Sequence, residues 1–291
     1  MSAKPIVAAT DGSEESLRAV DWAAREAVLR GAPLRIVSGA ALLPRMMERE
    51  EEGQELEIVT DALVKERDVA LTAAAERTTR VSADLLIDTD HLSGAPALAV
   101  TESGSGALML VVGSRGAGAF TALILGSVSR YAATHATCPV VVVRDETAAP
   151  HRQIAVGIGD PDTSADSLEF AFEEATLRKA ALLAVHAWNI PRSGTERAFA
   201  SLGAPGGHAM EQKLAHRLKA LVEGWQEKYP GVEVSQEVLY GHPGRALAGL
   251  SARADLVVIG RHPGQHGLHG PGAVTHAVLN HAHGPIVTVP S

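Results

Sequence analysis

Short apolar runs alternate along the chain with longer stretches in which apolar residues recur at a helical period. In the first half, apolar runs predict strands at 4–10, 34–40, 107–112 and 138–143, and an alternating stretch predicts a further strand at 81–88. The stretches between them predict four helices, at 14–30, 48–78, 95–102 and 127–136. Alternation of this kind is typical of a parallel sheet with helices on both faces. Strands that are apolar on both sides indicate burial on both sides, so the predicted fold class is α/β.

The same order of elements occurs a second time after a polar, proline-containing segment at 144–152. DLVVIG at 255–260 corresponds to LMLVVG at 108–113, and GPIVTV at 284–289 corresponds to CPVVVV at 138–143. A repeat that covers nearly the whole chain indicates a duplicated unit. We therefore predict two tandem domains, at 1–146 and 152–291.

Composition narrows the class of protein. The 291 residues are 46% hydrophobic and 21% charged, which suits a folded globular chain. The net charge of −8, without a basic stripe, argues against nucleic-acid binding. The single Cys138 excludes an intramolecular disulfide and suits a reducing compartment. Since no apolar run approaches the length of a membrane span and the N-terminus lacks a signal-peptide pattern, we expect a cytoplasmic protein without a membrane partner.

A predicted strand, a glycine-containing loop and a predicted helix follow one another within residues 107–131. Gly113, Gly116, Gly126 and Ser127 give the spacing G-x2-G-x9-G-S. Glycine lets the backbone approach an anion closely, and a helix start offers free N–H groups to phosphate oxygens. The motif is not a P-loop, because no Lys follows the last glycine, and it differs from the Rossmann G-x-G-x-x-G. It predicts a phosphate-binding site.

This motif and its surroundings resemble the universal stress protein family. The opening IVAATDGSEES and the segments VVGSRG, LGSVS and HATCPVVVV carry the resemblance, which extends over both halves. ATP-binding members of that family have G-x2-G-x9-G-[S/T] after the fourth strand. The resemblance implies two flavodoxin- or Rossmann-like domains, each with a five-stranded parallel sheet of order 3-2-1-4-5. It also implies that strands 138–143 and 284–289 pair across a pseudo-twofold axis, and a homodimer of the whole chain is compatible with it.

The resemblance further implies where ATP, with Mg²⁺, would bind. Adenine and ribose would lie near Ala9, Thr10, Asp11 and Gly39, above a floor formed by Val112 and Gly113. The phosphates would be held by Arg115, Gly116, Gly126, Ser127, Val128 and Ser129. The side chains suit these positions, because Asp11 can accept hydrogen bonds from ribose hydroxyls and Arg115 can offset phosphate charge. Simpler roles remain open, namely a turn cap for Asp11, a helix N-cap for Ser127 and a surface charge for Arg115.

The second half departs from the motif. Pro263 stands where the second glycine belongs, eight residues rather than nine precede Gly272, and Ala273 replaces the serine. Proline removes a donor N–H group and fixes φ, and alanine has no hydroxyl. Gly159 aligns with the strand-end aspartate of the first half. We therefore predict that this half binds ATP poorly or not at all, although Gly264 could partly replace the missing glycine.

The second half also carries a histidine-rich region, with His262, His266, His269, His276, His281 and His283. Histidine clusters can bind metals or sense pH. The spacing is irregular and no H-E-x-x-H motif is present, which favours solvated histidines. No metal site is predicted.

The predicted function is that of a cytoplasmic ATP-binding stress-response sensor or regulator, in which occupancy alters conformation or partner binding. No catalytic residues are predicted, because no general base, Walker B acid or activated nucleophile is recognisable. Three alternatives remain: a slow ATPase or self-phosphorylating protein, a binder of cyclic AMP or another adenine nucleotide, and a nucleotide-free protein that acts through its dimer surface. A flavodoxin-like electron carrier is disfavoured, because phosphate loops of that class follow the first strand.

Overall fold

The computed structural model describes residues 3–39, 53–116, 125–144, 150–159, 164–189, 205–261 and 272–291. The chain divides into two units, Met1–Glu146 and Thr147–Ser291. We call them domain 1 and domain 2.

Domain 1 is a parallel sheet of order β3-β2-β1-β4-β5 with helices packed against it. Its elements are β1 (Ile6–Ala9), α1 (Glu14–Arg30), β2 (Leu34–Gly39), α2 (Gly53–Thr79), β3 (Ile87–Leu92), α3 (Pro96–Ser103), β4 (Met109–Gly113), α4 (Ser127–His135) and β5 (Val140–Val143). Helix α1 packs with α2, and α3 packs with α4. This is the predicted α/β architecture, with the predicted strand order.

Domain 2 repeats that arrangement, with strands in the order β8-β7-β6-β9-β10. Its elements are β6 (Gln153–Gly157), α5 (Ala165–Arg178), β7 (Ala181–Trp188), α6 (Pro205–Lys228), β8 (Val234–Tyr240), α7 (Pro243–Leu250), β9 (Leu256–Arg261), α8 (Ala273–His281) and β10 (Ile286–Pro290). Among the helices of the described ranges, none is long and apolar enough to cross a membrane.

Buried aliphatic side chains fix the register of both sheets. In domain 1, Ile6 lies level with Leu34 and Met109, and all three are fully buried. In domain 2, Ile154 takes the corresponding place between Leu182 and Leu256. Both faces of these strands are buried, so a slip of one residue would pack each side chain against neighbours of a different shape and leave the core poorly filled. That register sets which residues meet at the carboxyl edge of each sheet.

Helix α1 begins and ends at the residues that its sequence predicts. Ser13 is the N-cap, and its hydroxyl accepts a hydrogen bond from the Ser16 N–H at 3.3 Å. Gly31 adopts φ 61°, the left-handed conformation that ends helices and that glycine enters without steric cost. These local signals hold the start of α1 next to the end of β1.

The third strand was predicted at 81–88, and this position is wrong. The N–H groups of Val81 and Ser82 both bond to the Thr78 carbonyl, so these residues continue the last turn of α2. The strand begins at Ile87 and pairs with β2 as an edge strand whose side chains are mostly half-buried or exposed. Its polar sequence, IDTDHL, lies mostly beyond the alternating stretch on which the prediction depended.

Candidate functional site

The carboxyl ends of β1 and β4 lie side by side in domain 1. Strand β1 pairs with β2 on one side and with β4 on the other, which makes this the point where the strand order reverses. Ligands of open α/β sheets bind in the crevice at such a point. Because β1 ends at Ala9 and β4 ends at Gly113, the predicted strand-end residues of both strands come together here.

Asp11 follows β1 and lies against the loop after β4. Its Oδ1 accepts hydrogen bonds from the Ser13 N–H at 3.1 Å and the Ser13 hydroxyl at 2.6 Å. A Cβ at Gly116 would collide with Asp11 Oδ2. The carboxylate therefore caps the turn before α1, as the simpler interpretation held, and it also marks where the backbone of Gly116 passes.

A chain of hydroxyl groups fixes the turn between β1 and α1. Ser16 Oγ donates to the Ser13 carbonyl at 2.8 Å and lies 3.0 Å from Thr10 Oγ1. Since the single Ser16 hydroxyl proton is used in the first bond, Thr10 donates in the second. The Gly12 N–H in turn donates to Thr10 Oγ1 at 3.1 Å. The Thr10 hydroxyl is thus committed to holding Asp11 in place.

Gly113 brings β4 close to the first turn of α1. A Cβ at this position would lie 2.8 Å from the Glu15 carbonyl oxygen and 3.1 Å from the Ser16 nitrogen. Both atoms belong to the backbone, so a side chain here would have to displace the helix. The first glycine of the motif is therefore required by packing, whether or not a ligand is bound.

Helix α4 begins at the same edge, with Gly126 as its N-cap. The Gly126 N–H donates to the Ser114 carbonyl at 2.9 Å, which anchors the helix start to the end of β4. Ser129 Oγ adds a second anchor by donating to the Gly113 carbonyl at 2.5 Å. Because glycine has no side chain to cap the helix, the first-turn N–H groups at Ser127, Val128 and Ser129 are available to an anion.

Arg115 lies between these helix starts, paired with a carboxylate. Its Nη2 atom is 3.5 Å from Oε1 of Glu15, and about a quarter of each side chain is exposed. The same Glu15 oxygen is 3.8 Å from Arg18. The site thus contains a guanidinium with an internal counter-charge, a contact that sequence reasoning missed because 100 residues separate its partners.

Glu14, the neighbour of Glu15, is directed away to α2. Both of its carboxylate oxygens accept hydrogen bonds from Arg77, at 3.0 and 3.2 Å. These bonds hold the pKa of Glu14 below its ordinary value, and hydrogen bonding to Glu14 raises the pKa of Arg77. Arg77 also donates to Asp21 at 2.7 Å, so one guanidinium joins the two helices.

The structure brings together most of the predicted site residues, in different roles. Gly39 ends β2, where a Cβ would lie 3.6 Å from the Pro96 Cα atom at the start of α3. Ala9 and Val112 are buried in the floor of the crevice. Ser127 is exposed, whereas the Ser129 hydroxyl is buried and already bonded. Residues 117–124 of the motif lie outside the described residues.

Domain 2 lacks several of these groups at the corresponding edge. The Ile158 N–H bonds to Val185 as the Thr10 N–H bonds to Val37, which makes Ile158 the counterpart of Thr10. A buried isoleucine therefore replaces the hydroxyl that orders the turn in domain 1. Gly159 follows it and has no carboxylate. Sequence reasoning noted this glycine but missed the isoleucine, which the register of the repeat could have revealed.

The rest of the second motif is only partly described. Gly272 is the N-cap of α8, and Ala273 begins the helix. Several residues of this region lie outside the described ranges, namely Pro263, Gly264 and the histidines at 262, 266 and 269. Among the residues that are described, no group of three or more His, Cys, Asp or Glu side chains could hold a metal ion.

Comparison with known proteins finds relatives that match both domains. The profile of the universal stress protein family matches residues 2–144 and again 150–290. Universal stress protein Rv2005c of Mycobacterium tuberculosis H37Rv is 34% identical over 299 residues, covering 97% of this chain and 95% of the relative. The crystal structure of a universal stress protein from Archaeoglobus fulgidus DSM 4304 covers 100% of this chain and 99% of its own, at 16% identity and a TM-score of 0.63, a likeness of fold. A smaller universal stress protein, solved in complex with cAMP, covers 50% of this chain and 100% of its own, at 27% identity and a TM-score of 0.39.

Proposed function

Because the chain belongs to the universal stress protein family, we propose that domain 1 binds ATP with Mg²⁺ and acts as a stress-response sensor or regulator. The observation that carries the proposal is the convergence of four features at one crevice. The end of β1 supplies a carboxylate, the end of β4 a close-packed glycine, the following loop a guanidinium, and α4 an N-terminus without a side-chain cap. This combination suits a ribose phosphate better than any one feature would alone.

The residues divide into ligand-contacting and supporting roles in this proposal. Asp11 would accept from the ribose, and the N–H groups of Ser127, Val128 and Ser129 would donate to phosphate oxygens. Arg115 would offset the phosphate charge, and Gly116 and Gly126 would allow the backbone to come close. Thr10 and the Ser129 hydroxyl would support the site from inside, because both are already bonded within the protein.

We propose further that domain 2 binds ATP poorly or not at all. Its counterpart of Thr10 is Ile158, its counterpart of Asp11 is Gly159, and its helix α8 begins with Ala273. The helix start keeps its free N–H groups, but the groups that would orient the ribose and add a hydroxyl to the phosphates are missing. A single nucleotide per chain follows from this difference.

The deciding experiment is to purify the chain, denature it and identify any released nucleotide, then titrate the emptied protein with ATP and Mg²⁺ by calorimetry. We expect one ATP per chain, lost in the double variant Gly126→Asp with Ser127→Ala. Two per chain would contradict the proposal for domain 2. No binding at all would overturn the proposal for domain 1, and preferential binding of cyclic AMP in competition would replace ATP with that ligand.

Three further expectations stay predictions. They are the pairing of strands 138–143 and 284–289, a homodimer of the whole chain, and a cytoplasmic location. Light scattering of the purified protein at several concentrations tests the homodimer, because a monomer gives a molar mass close to 30.3 kDa and a dimer twice that value.

A further inference from the structure

The ion pair between Glu15 and Arg115 lies at the crevice proposed to bind the phosphates. Glu15 lies in the first turn of α1, and its backbone carbonyl is the atom against which Gly113 packs. Its carboxylate Oε1 atom is 3.5 Å from the Arg115 Nη2 atom. Since Gly113 and Arg115 belong to the same motif, this places a negative charge beside the guanidinium proposed to meet the phosphates.

Two neighbouring carboxylates are engaged elsewhere. Glu14 receives two hydrogen bonds from Arg77, and the Asp11 Oδ1 atom receives two from Ser13. The contacts of Glu15 are longer, at 3.5 Å to Arg115 and 3.8 Å to Arg18. Contacts of that length are loose ion pairs rather than short charge-assisted hydrogen bonds, so the guanidinium can exchange between partners at small cost.

We propose that Glu15 competes with the phosphate groups of the ligand for Arg115 and so sets the affinity of the site. The inference rests on the proposed function, because it concerns the same crevice. In the empty site Glu15 holds the guanidinium against α1. A bound polyphosphate takes the guanidinium over and leaves the Glu15 carboxylate near the phosphates, still paired with Arg18 at 3.8 Å.

This arrangement makes affinity depend on the charge of the ligand. A triphosphate attracts Arg115 more strongly than a diphosphate does, and an uncharged nucleoside does not compete for it. Repulsion by Glu15 also follows the number of phosphate charges, so removing its charge has the largest effect on ATP, a smaller one on ADP and none on adenosine. Since both groups are partly exposed, added salt weakens the effect.

Calorimetric titration of Glu15→Gln with ATP, ADP, adenosine and inorganic tripolyphosphate tests the proposal. Glutamine keeps the size of the side chain and removes its charge. We expect ATP and tripolyphosphate to bind roughly fivefold more tightly than to the unaltered chain, an effect the size of one partly screened charge. Adenosine affinity should stay unchanged, and the gain should shrink in high salt.

Glu14→Gln is the matched control, because it removes the same charge from the same helix turn one residue away. It weakens the helix dipole interaction equally but leaves the contact with Arg115 intact. We expect it to leave the four affinities within about twofold of the unaltered chain, because the Glu14 carboxylate is paired with Arg77 outside the site and acts on the ligand only as a screened surface charge. An equal gain in both variants would overturn the proposal, since it would indicate a general effect of net charge.

The double variant Glu15→Gln with Arg115→Gln shows whether Glu15 acts through the guanidinium. In the Arg115→Gln background, the gain from Glu15→Gln should fall to about twofold, because the exchange step is gone and only the screened direct repulsion between Glu15 and the phosphates remains. An undiminished gain there, or weaker ATP binding by Glu15→Gln alone, would overturn the proposal. If the unaltered chain bound no nucleotide, the proposed function would fail, and the response to tripolyphosphate would still decide the role of Glu15.

Discussion

The two domains share their fold-stabilising ion pairs but differ at the carboxyl edge of the sheet. Each first helix has an internal pair four residues apart, Glu26 with Arg30 in α1 and Glu174 with Arg178 in α5. Both glutamate side chains are fully buried. Losing one partner would leave a buried charge uncompensated, which is strongly destabilising. The same pair thus occurs at the corresponding place in both copies of the unit.

A second pair joins the two helices in each domain. Arg77 of α2 donates to Asp21 of α1, and Lys228 of α6 donates to Glu169 of α5. The residue types have changed, and Arg77 also bonds Glu14, but in each domain a cation of the second helix still faces a carboxylate of the first. The carboxyl edge shows the opposite result, since Ile158 replaces Thr10. Among the described residues, these structural contacts are present in both copies of the unit, whereas the hydroxyl of Thr10 and the carboxylate of Asp11 have no counterpart at Ile158 and Gly159.

The largest expected difference between the domains comes from placing a charge at each helix start. Gly126→Asp should lower ATP affinity at least ~100-fold, because the new carboxylate caps the α4 N–H groups and repels phosphate. Gly272→Asp, the matched change at α8, should leave affinity unaltered. Both should stabilise the chain by roughly 0.5 kcal/mol, since Asp is a better N-cap than glycine. Calorimetric titration and thermal unfolding measure the two effects. Equal losses of affinity would mean that both domains bind nucleotide.

A methyl group distinguishes the glycines by what surrounds them. Gly113→Ala should destabilise domain 1 by about 2–3 kcal/mol, because its Cβ meets the Glu15 backbone and α1 must shift. Gly159→Ala should change stability by less than about 0.5 kcal/mol, because a Cβ there meets nothing within 4 Å. Hydrogen exchange resolved by domain measures each effect. A Gly113→Ala protein as stable as the original would contradict the packing role of this glycine.

Two substitutions that lower stability by similar amounts test whether the Thr10 hydroxyl orders the binding site or only stabilises the fold. Thr10→Val keeps the shape of the side chain but removes the hydroxyl between Ser16 and Gly12, at about 1 kcal/mol. Ile158→Val removes one buried methylene from domain 2, also at about 1 kcal/mol. Thr10→Val should weaken ATP binding severalfold because Asp11 loses its support, whereas Ile158→Val should not. If both left ATP affinity unchanged, the hydroxyl chain would serve stability alone.

The smallest effect concerns pH and the helix-joining pairs. The pKa of Glu14 is lowered from 4.5 by its bonds to Arg77, so its contribution is complete above pH 4.5 and is lost as pH falls through the lowered pKa. Arg77→Gln should therefore lower the free energy of unfolding by less than about 1 kcal/mol at neutral pH. Part of that loss should disappear at acidic pH. Urea unfolding at several pH values measures it.

Lys228 provides the contrast in domain 2. Hydrogen bonding to Glu169 raises the pKa of Lys228 above 10.5, so its contribution is complete below pH 10.5 and is lost as pH rises through the raised pKa. The difference in free energy of unfolding between Lys228→Gln and the original chain should therefore shrink at alkaline pH. For the Glu14–Arg77 pair, a difference in free energy of unfolding between Arg77→Gln and the original chain that grew on acidification would contradict the lowered pKa of Glu14.

The sequence by itself determined the fold class, the repeat and much of the local structure. The alternation of apolar runs and helical periods is read within short windows, so the elements and their order follow from it. Helix α1 is the clearest case, because Ser13 and Gly31 specify its ends through bonds to their immediate neighbours. The motif from Gly113 to Ser127 likewise identified the strand end and helix start that meet at the crevice.

Tertiary structure decided what those residues do. The edge strand β3 lay beyond the predicted position because its polar residues become a strand through pairing with β2. The collision that makes Gly113 obligatory and the ion pair of Glu15 with Arg115 both depend on where α1 lies against the end of β4. No window of sequence contains that information, because the order and register of the sheet bring together atoms that lie far apart along the chain.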